Sequence, residues 1–469
     1  REIAESLEKN RHEMEERLQL TKNFDLVERK LKVGDRDACL YFVDGFVKDE
    51  VLEKLMEFFQ SLKPELLLEN GKAFSGIFVP YVEVEILNSF EELTTQLLSG
   101  VACLLIDGIP RCVAVDCRTY PMRSVEEPEK DKVLRGSRDG FVETLVFNTA
   151  LIRRRIRTPK LSMEILTTGK LSKTDIVLCY LDDRVDRELL SLVKNRIQQL
   201  KVEALTMNQE SLAECLFRGR WFNPFPKFKY TERPDAAAAG ILEGKLVILV
   251  DNSPSAMILP ASVFDIMEEA DDFYFPPVTG TYLRLTRFFI GLMTIFLTPV
   301  WLLLMQNPEW IPKGFQFIRV SEEINIPIFF QLLILELAID GLKLAAINTP
   351  SNLTTPLSVI AAIVVGEFAV KSGWFNSETM LYMAFVAMAN YMQADYELGY
   401  ALKFMRLLLL VLTAILNQWG LLLGFVLVCV FLATNRTISG GSYLAPLLPF
   451  NGKQFTRRFF RKRLTHFYD

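Results

Sequence analysis

Apolar positions change character about two-thirds of the way along the chain. Up to about Thr281, short apolar runs alternate with charged stretches; from Phe288 to Ala433, apolar runs recur with only brief breaks. The first pattern predicts a water-facing α/β region and the second an α-helical transmembrane domain. Residues 1–33 read as a charged, weakly amphipathic N-terminal helix. Ala38-Cys39-Leu40-Tyr41-Phe42-Val43 then predicts a strand, and Val51, Leu52, Leu55, Met56, Phe58 and Phe59 follow at helical spacing. Glu91 to Leu98 predicts another helix. Val101 to Ile106, Asp107-Gly108 and Pro110 to Asp116 predict a β-hairpin, because Asp-Gly suits a tight turn.

The same order returns about 140 residues later, the strongest internal repeat in the chain. Ile176 to Leu181 predicts a strand, and Leu189, Leu192, Val193 and Ile197 a helix. Ser211 to Phe217 takes the place of the Glu91 helix, and Leu246 to Val250, Asp251-Asn252 and Met257 to Leu259 form the second hairpin. Trp221 to Gly240, rich in Pro, aromatics and then Ala, reads as an inserted loop or partner-contact segment. The expected organisation is therefore an N-terminal helix (1–33), a first α/β subdomain (34–130) and a second (131–280) with a linker helix inside 135–157. A transmembrane helical domain (281–436) and a basic cytoplasmic tail (437–469) follow.

Four to six spans are expected. Phe288 to Gln306 is the clearest, since about 20 apolar residues cross a bilayer as a helix. Residues 324–346 carry Pro327 near their start, 356–370 and 378–392 are short enough to span or re-enter, and 404–416 with 420–433 form a hairpin around Asn417-Gln418-Trp419. Arg284, Arg287, Lys403, Arg406, Arg436 and the tail residues Arg457, Arg458, Arg461, Lys462 and Arg463 assign their ends to the cytoplasmic side. Lys313 and Arg319 in the first outer loop run against that sorting.

Ionisable groups inside this region carry the candidate chemistry. Glu336, Asp340 and Lys343 lie at i, i+4 and i+7 and share one helical face. Each isolated charge at bilayer depth costs about 2.5–3.5 kcal/mol, so the stripe faces protein or water. One reading pairs Asp340 with Lys343 and packs a protonated Glu336 in the bundle; the other lines a cation route, because acidic rings attract cations. Asn348, Thr354 and Thr355 in the polar, Pro-bracketed stretch before the third segment, and Glu367 near its end, complete the candidate ion pathway. Arg153, Arg154, Arg155 and Arg157 form a candidate basic collar near lipid headgroups or an ion pathway; the alternative is a solvated, dipole-favoured helix end. Asp182-Asp183 and Asp271-Asp272 read as turn or cap residues.

Composition narrows the classes. The net charge of −4 implies no wholesale attraction to nucleic acid. Seven cysteines lack any C-x-x-C spacing and the two histidines, His12 and His466, sit at opposite ends, so neither a zinc site nor a Ser-His-Asp triad is supported. Reduced, buried cysteines are expected. There is no G-x-G-x-x-G, Walker loop or H-E-x-x-H, hence no expected cofactor and no leading enzyme reading.

Asp139-Gly140-Phe141-Val142-Glu143 leading to Asn148-Thr149-Ala150-Leu151-Ile152-Arg153-Arg154-Arg155-Ile156-Arg157 resembles a known family, the A subunits of bacterial spore germination receptors. Residues 256–260, 265–274 and 357–367 also look like family stretches, and 271–282 with 397–406 resemble its stage V sporulation AF branch. The resemblance covers most of the chain. It implies a protein of the spore inner membrane, with its soluble region and tail facing the spore core. It also implies assembly as a homo-oligomer, plausibly a pentamer, that passes monovalent cations, and work with a small membrane partner or other germination proteins. The chain departs from the family at 349–356, where nutrient-receptor A subunits often have a glycine-rich stretch. A non-conducting scaffold and a secondary transporter are the competing readings; the clear repeat lies in the soluble region, which counts against the transporter.

Overall fold

The computed structural model describes residues 2–61, 84–118, 132–134, 136–217, 222–350, 355, 358–393 and 395–461. Two compact units result, one of Arg1–Arg218 with Lys227–Ala261 and the other of Gly219–Pro226 with Ser262–Asp469.

The first unit holds the duplication as two antiparallel five-stranded sheets. In chain order the strands are β1 (Leu26–Val33), β2 (Arg36–Val43), β3 (Val84–Leu87), β4 (Ala102–Ile106) and β5 (Cys112–Val115), then β6 (Leu161–Thr168), β7 (Thr174–Leu181), β8 (Lys229–Thr231), β9 (Leu246–Val250) and β10 (Ala256–Leu259). The spatial orders, β1-β2-β4-β5-β3 and β6-β7-β9-β10-β8, are the same topology twice. Central strands are covered on both faces. Cys39, Tyr41 and Val43 of β2 enter one core cluster while Ala38 and Leu40 enter another, and Cys103 and Leu105 of β4 oppose Ala102, Leu104 and Ile106 in the same way. Burial on both faces is why these strands read as continuous apolar runs. Both predicted hairpins form, with Ala102 opposite Val115 and Leu246 opposite Leu259. All seven cysteines are free thiols; five are buried as expected, while Cys215 is half-buried and Cys429 is exposed.

Three expectations are corrected. The N-terminal helix spans only Leu7–Leu18; residues 26–33 form β1, paired with β2 from Leu26↔Val43 to Val33↔Arg36. Glu28, Arg29, Lys30 and Lys32 give this edge strand a helix-like composition, and pairing across the Gly34 turn overrides it. Second, Trp221 to Gly240 is not wholly loop: it contributes β8 and the start of the helix Pro234–Leu242. Third, that helix, not Ser211 to Phe217, takes the place of Phe90–Leu98, since each lies between the third and fourth strands of its sheet. The helix Asn208–Leu216 is an addition of the second half.

Lys227 is buried in this unit, with its ammonium 4.8 Å from the Phe217 ring centre. Desolvation lowers its pKa to about 8. The unfolded chain therefore holds a proton that the folded chain sheds between about pH 8 and the ordinary lysine value, so stability rises with pH across that window. Lys227→Met is expected to remove this pH dependence. Thermal midpoints of the two chains taken from pH 7 to 10.5 should therefore differ by an amount that changes with pH in favour of the parent; a constant difference would refute it.

The second unit is helical. Its main helices are Pro277–Gln306, Ile328–Asn348, Ser377–Tyr391 and Tyr396–Thr434. The last breaks at Asn417 (φ 54°, ψ −132°). A Cβ on Gly420 would lie 1.8 Å from the Leu412 carbonyl oxygen, and one on Gly424 2.5 Å from Leu409. Residues eight and fifteen positions apart touch only if the chain folds back, so the predicted hairpin around Asn417 is present. Asn307 donates to Asn417 Oδ1 at 2.6 Å and so ties the bend to the end of the first long helix.

The expected four to six spans are corrected as well. Among the described residues, two helices are long and apolar enough to cross a membrane, Pro277–Gln306 and Tyr396–Thr434. Ile328–Asn348 has the length but carries three charges, Ser377–Tyr391 is short, and Ala362–Phe368 is π-helical.

Candidate functional site

The charged stripe on Ile328–Asn348 meets two cations from Tyr396–Thr434. That second helix starts at Asp395, whose side chain accepts from Leu398 N at 2.9 Å, and this fixes the phase that turns Lys403 and Arg406 inward. Arg406 donates from Nε to Glu336 Oε1 at 2.6 Å and from Nη2 to Oε2 at 2.9 Å. Its remaining arm donates to the Thr294 carbonyl at 2.8 Å. Lys403 Nζ lies 3.4 Å from Glu336 Oε2 and bonds Asp340. Glu336, Lys403 and Arg406 are buried, while the Asp340 side chain keeps 29% of its surface. Two carboxylates and two cations cancel, so no net charge is buried, and the bidentate pair satisfies both oxygens of Glu336.

This arrangement corrects the pairing read from helical spacing. Asp340 bonds Lys403, not Lys343, because Lys403 reaches across the helix seam and meets Glu336 as well. Lys343 instead points its ammonium at three rings, 4.7 Å from Tyr396, 4.7 Å from Tyr400 and 6.0 Å from Tyr391. Lys403 and Arg406 are likewise not free topology markers but the counter-charges of the stripe. Glu367 lies exposed on the π-helical stretch with Lys371 2.5 Å away. Asn348 is exposed and its amide donates back to Leu344 O at 3.1 Å; Thr355 is exposed. Thr354 lies outside the described residues. Glu336, Asp340 and Lys343 thus belong to one seam, and Glu367 bonds elsewhere.

The basic run also divides. Arg153, on the helix Leu145–Arg155, is wholly buried and pairs with buried Asp25 at 2.9 and 3.1 Å, its third arm reaching Leu161 O. Asn23 Oδ1 accepts from Met163 N at 2.5 Å beside it, so this pair joins the two halves of the duplication. Arg155 holds Asp139 at 2.6 Å. Burial pushes the Asp139 carboxyl upward, but the bonds from Arg155 and Ser137 outweigh it and keep the carboxyl below its ordinary value. Arg154 and Arg157 are exposed.

A second charged cluster escaped the sequence reading. Asp272 is wholly buried, not an exposed cap, and accepts from Arg287 at 3.0 Å to both oxygens and from Arg284 at 3.3 Å. Arg284 also bonds Glu268 at 2.8 Å and Arg287 bonds Glu269 at 2.9 Å. The C-terminal helix Gly452–Phe459 docks here: Arg458 pairs with Asp265 and Glu268, and Phe459 packs on Phe264 and Phe288. Lys462 and Arg463 lie outside the described residues. The signal for this cluster was present in Arg284 and Arg287, spaced i, i+3 after a stretch with five acids from Asp265 to Asp272.

The family model described as Bacillus/Clostridium GerA spore germination protein matches residues 13–468. Stage V sporulation protein AF of Bacillus subtilis (strain 168) is 36% identical over 452 residues, covering 95% of this chain and 90% of that protein. Spore germination protein KA of the same organism is 26% identical over 468 residues, covering 98% and 85%. Among solved structures, the N-terminal domain of the A subunit of the Bacillus megaterium spore germinant receptor GerK3 matches 56% of this chain and 97% of that chain, at 24% identity and a TM-score of 0.44. The match over nearly its whole length shows that this chain belongs to the GerA family of spore germination proteins.

Proposed function

We propose that this germination-related membrane subunit assembles into a homo-oligomer, plausibly a pentamer, whose copies enclose a path for monovalent cations across the spore inner membrane. The soluble unit and the tail face the spore core, and a small membrane partner or other germination proteins complete the complex. The observation that carries this reading is the exposure of charge within apolar surface. Glu367 and Lys371 keep 57% and 66% of their side-chain surface while neighbouring Val364 and Phe368 are exposed too. Hydrocarbon tolerates such charges only against protein or water, so a second copy or an aqueous path is called for on this face. Asp340, with Leu337, Leu344 and Ile347 exposed around it, has the same need.

Thr294 pairs with Arg406 and Asn307 with Asn417, so the first long helix and the first arm of the hairpin run in parallel. Trp301 against Tyr382 and Gly291 near Gln393 make Ser377–Tyr391 run the opposite way. In this assignment Asp340 and Glu367 draw cations and Glu336 holds Arg406. Reconstituted into bilayers, the full chain should pass potassium, and Asp340→Asn with Glu367→Gln should lower its preference for cations over anions several-fold. Unchanged selectivity would remove both carboxylates from the path. Silent bilayers from a correctly sized oligomer would favour a non-conducting scaffold, a reading that the sealed Glu336–Arg406 pair also fits.

A further inference from the structure

The three tyrosines around Lys343 are disposed like a site for a cation. Tyr396 and Tyr400 belong to one helix at i, i+4, Tyr391 ends the preceding helix, and the three ring faces meet at one point. The Lys343 ammonium occupies that point from a third helix. Ring quadrupoles attract cations, and aromatic cages of this kind suit quaternary ammonium groups. Tyr391 and Tyr396 remain 58% and 48% exposed, so a soluble cation can approach. Lys343 enters the cage from Ile328–Asn348, whose half beyond Glu336 presents Leu337, Leu344 and Ile347 outward.

We infer that Tyr391, Tyr396 and Tyr400 form a binding site for a soluble monovalent organic cation, and that Lys343 is its tethered competitor. The tether gives the ammonium a high effective concentration, so a free cation enters only when the lysine withdraws. Cation binding and the position of the outer half of Ile328–Asn348 are thereby coupled, since a cation that fills the cage favours the state in which that half is released. The inference concerns the cage alone and holds whether or not the oligomer conducts.

The test uses the full chain in detergent, with tetramethylammonium chloride as probe and sodium chloride at equal concentration as control. Lys343→Ala and Lys343→Gln should each be thermally stabilised by tetramethylammonium, with a shift at least about five-fold that of the unaltered chain, because the competitor is gone. Adding Tyr396→Leu to Lys343→Gln should abolish the shift, and in the unaltered chain it should be small. A shift equal in the unaltered chain and both lysine variants would overturn the competition. A shift that survives Tyr396→Leu, or no shift in either lysine variant, would overturn the site itself.

Discussion

Glu336→Gln is expected to unfold the helical unit before it alters any ion flux. Gln keeps the size of the side chain and some of its hydrogen bonding but removes the charge that holds Arg406 at 2.6 and 2.9 Å. Arg406 is 1% exposed and cannot move its guanidinium into water. Removing one partner of a buried pair costs about 3–5 kcal/mol, most of it the penalty on the cation left behind. In a unit of this size the thermal midpoint in detergent should fall by on the order of 10 °C. The double replacement Glu336→Met with Arg406→Met removes both charges together and should lose less than Glu336→Gln alone, the sign of a coupled pair. Should Glu336→Gln keep the parent midpoint while changing cation flux, Glu336 faces water and the sealed pair is refuted.

Arg153→Leu should be comparably damaging in the other unit. It strands Asp25, which is 1% exposed, and releases the Leu161 carbonyl that Arg153 also satisfies. A loss of about 3–5 kcal/mol is expected, as for any buried carboxylate left without its cation. The pair bridges the duplicated halves, so amide exchange should rise at β1 and β6 before the sheet centres open. Arg153→Lys keeps the charge but not the two-pronged geometry and should fall between parent and Leu. Arg154→Ala and Arg157→Ala, at exposed positions, should each move the midpoint by less than about 0.5 kcal/mol in stability terms. Equal losses at all three arginines would mean that the run acts as one surface and that its buried member holds no special place.

Legibility followed burial. β2, β4, β7 and β9 were readable because both faces are covered and an unbroken apolar run results. β1 was not, since an edge strand with a solvated face carries the charges of a surface helix, and β6 was not, since Ser162, Glu164, Thr167 and Thr168 interrupt its apolar run. The helix Pro234–Leu242 was hidden by Pro and Ala that resemble a loop, although Pro at the first turn is compatible with a helix start. The Asn417 bend was readable as a polar break in a long apolar stretch. The stripe of Glu336, Asp340 and Lys343 was readable as a demand for company, but the company came from the wrong place: Lys343 lies close in sequence to Asp340, whereas Lys403 and Arg406 lie more than sixty residues away.

Sequence alone determined that this chain joins a duplicated α/β unit to an apolar helical unit, and that charges set among those apolar helices must be compensated. Periodicity and hydropathy are local properties, and a run of a few dozen residues expresses them fully. Tertiary structure alone decided which charges compensate one another: Arg406 for Glu336, Lys403 for Asp340, Arg153 for Asp25, and Arg284 with Arg287 for Asp272. Electrostatic energy depends on distance through space and on exclusion of water, and neither exists until distant segments have packed.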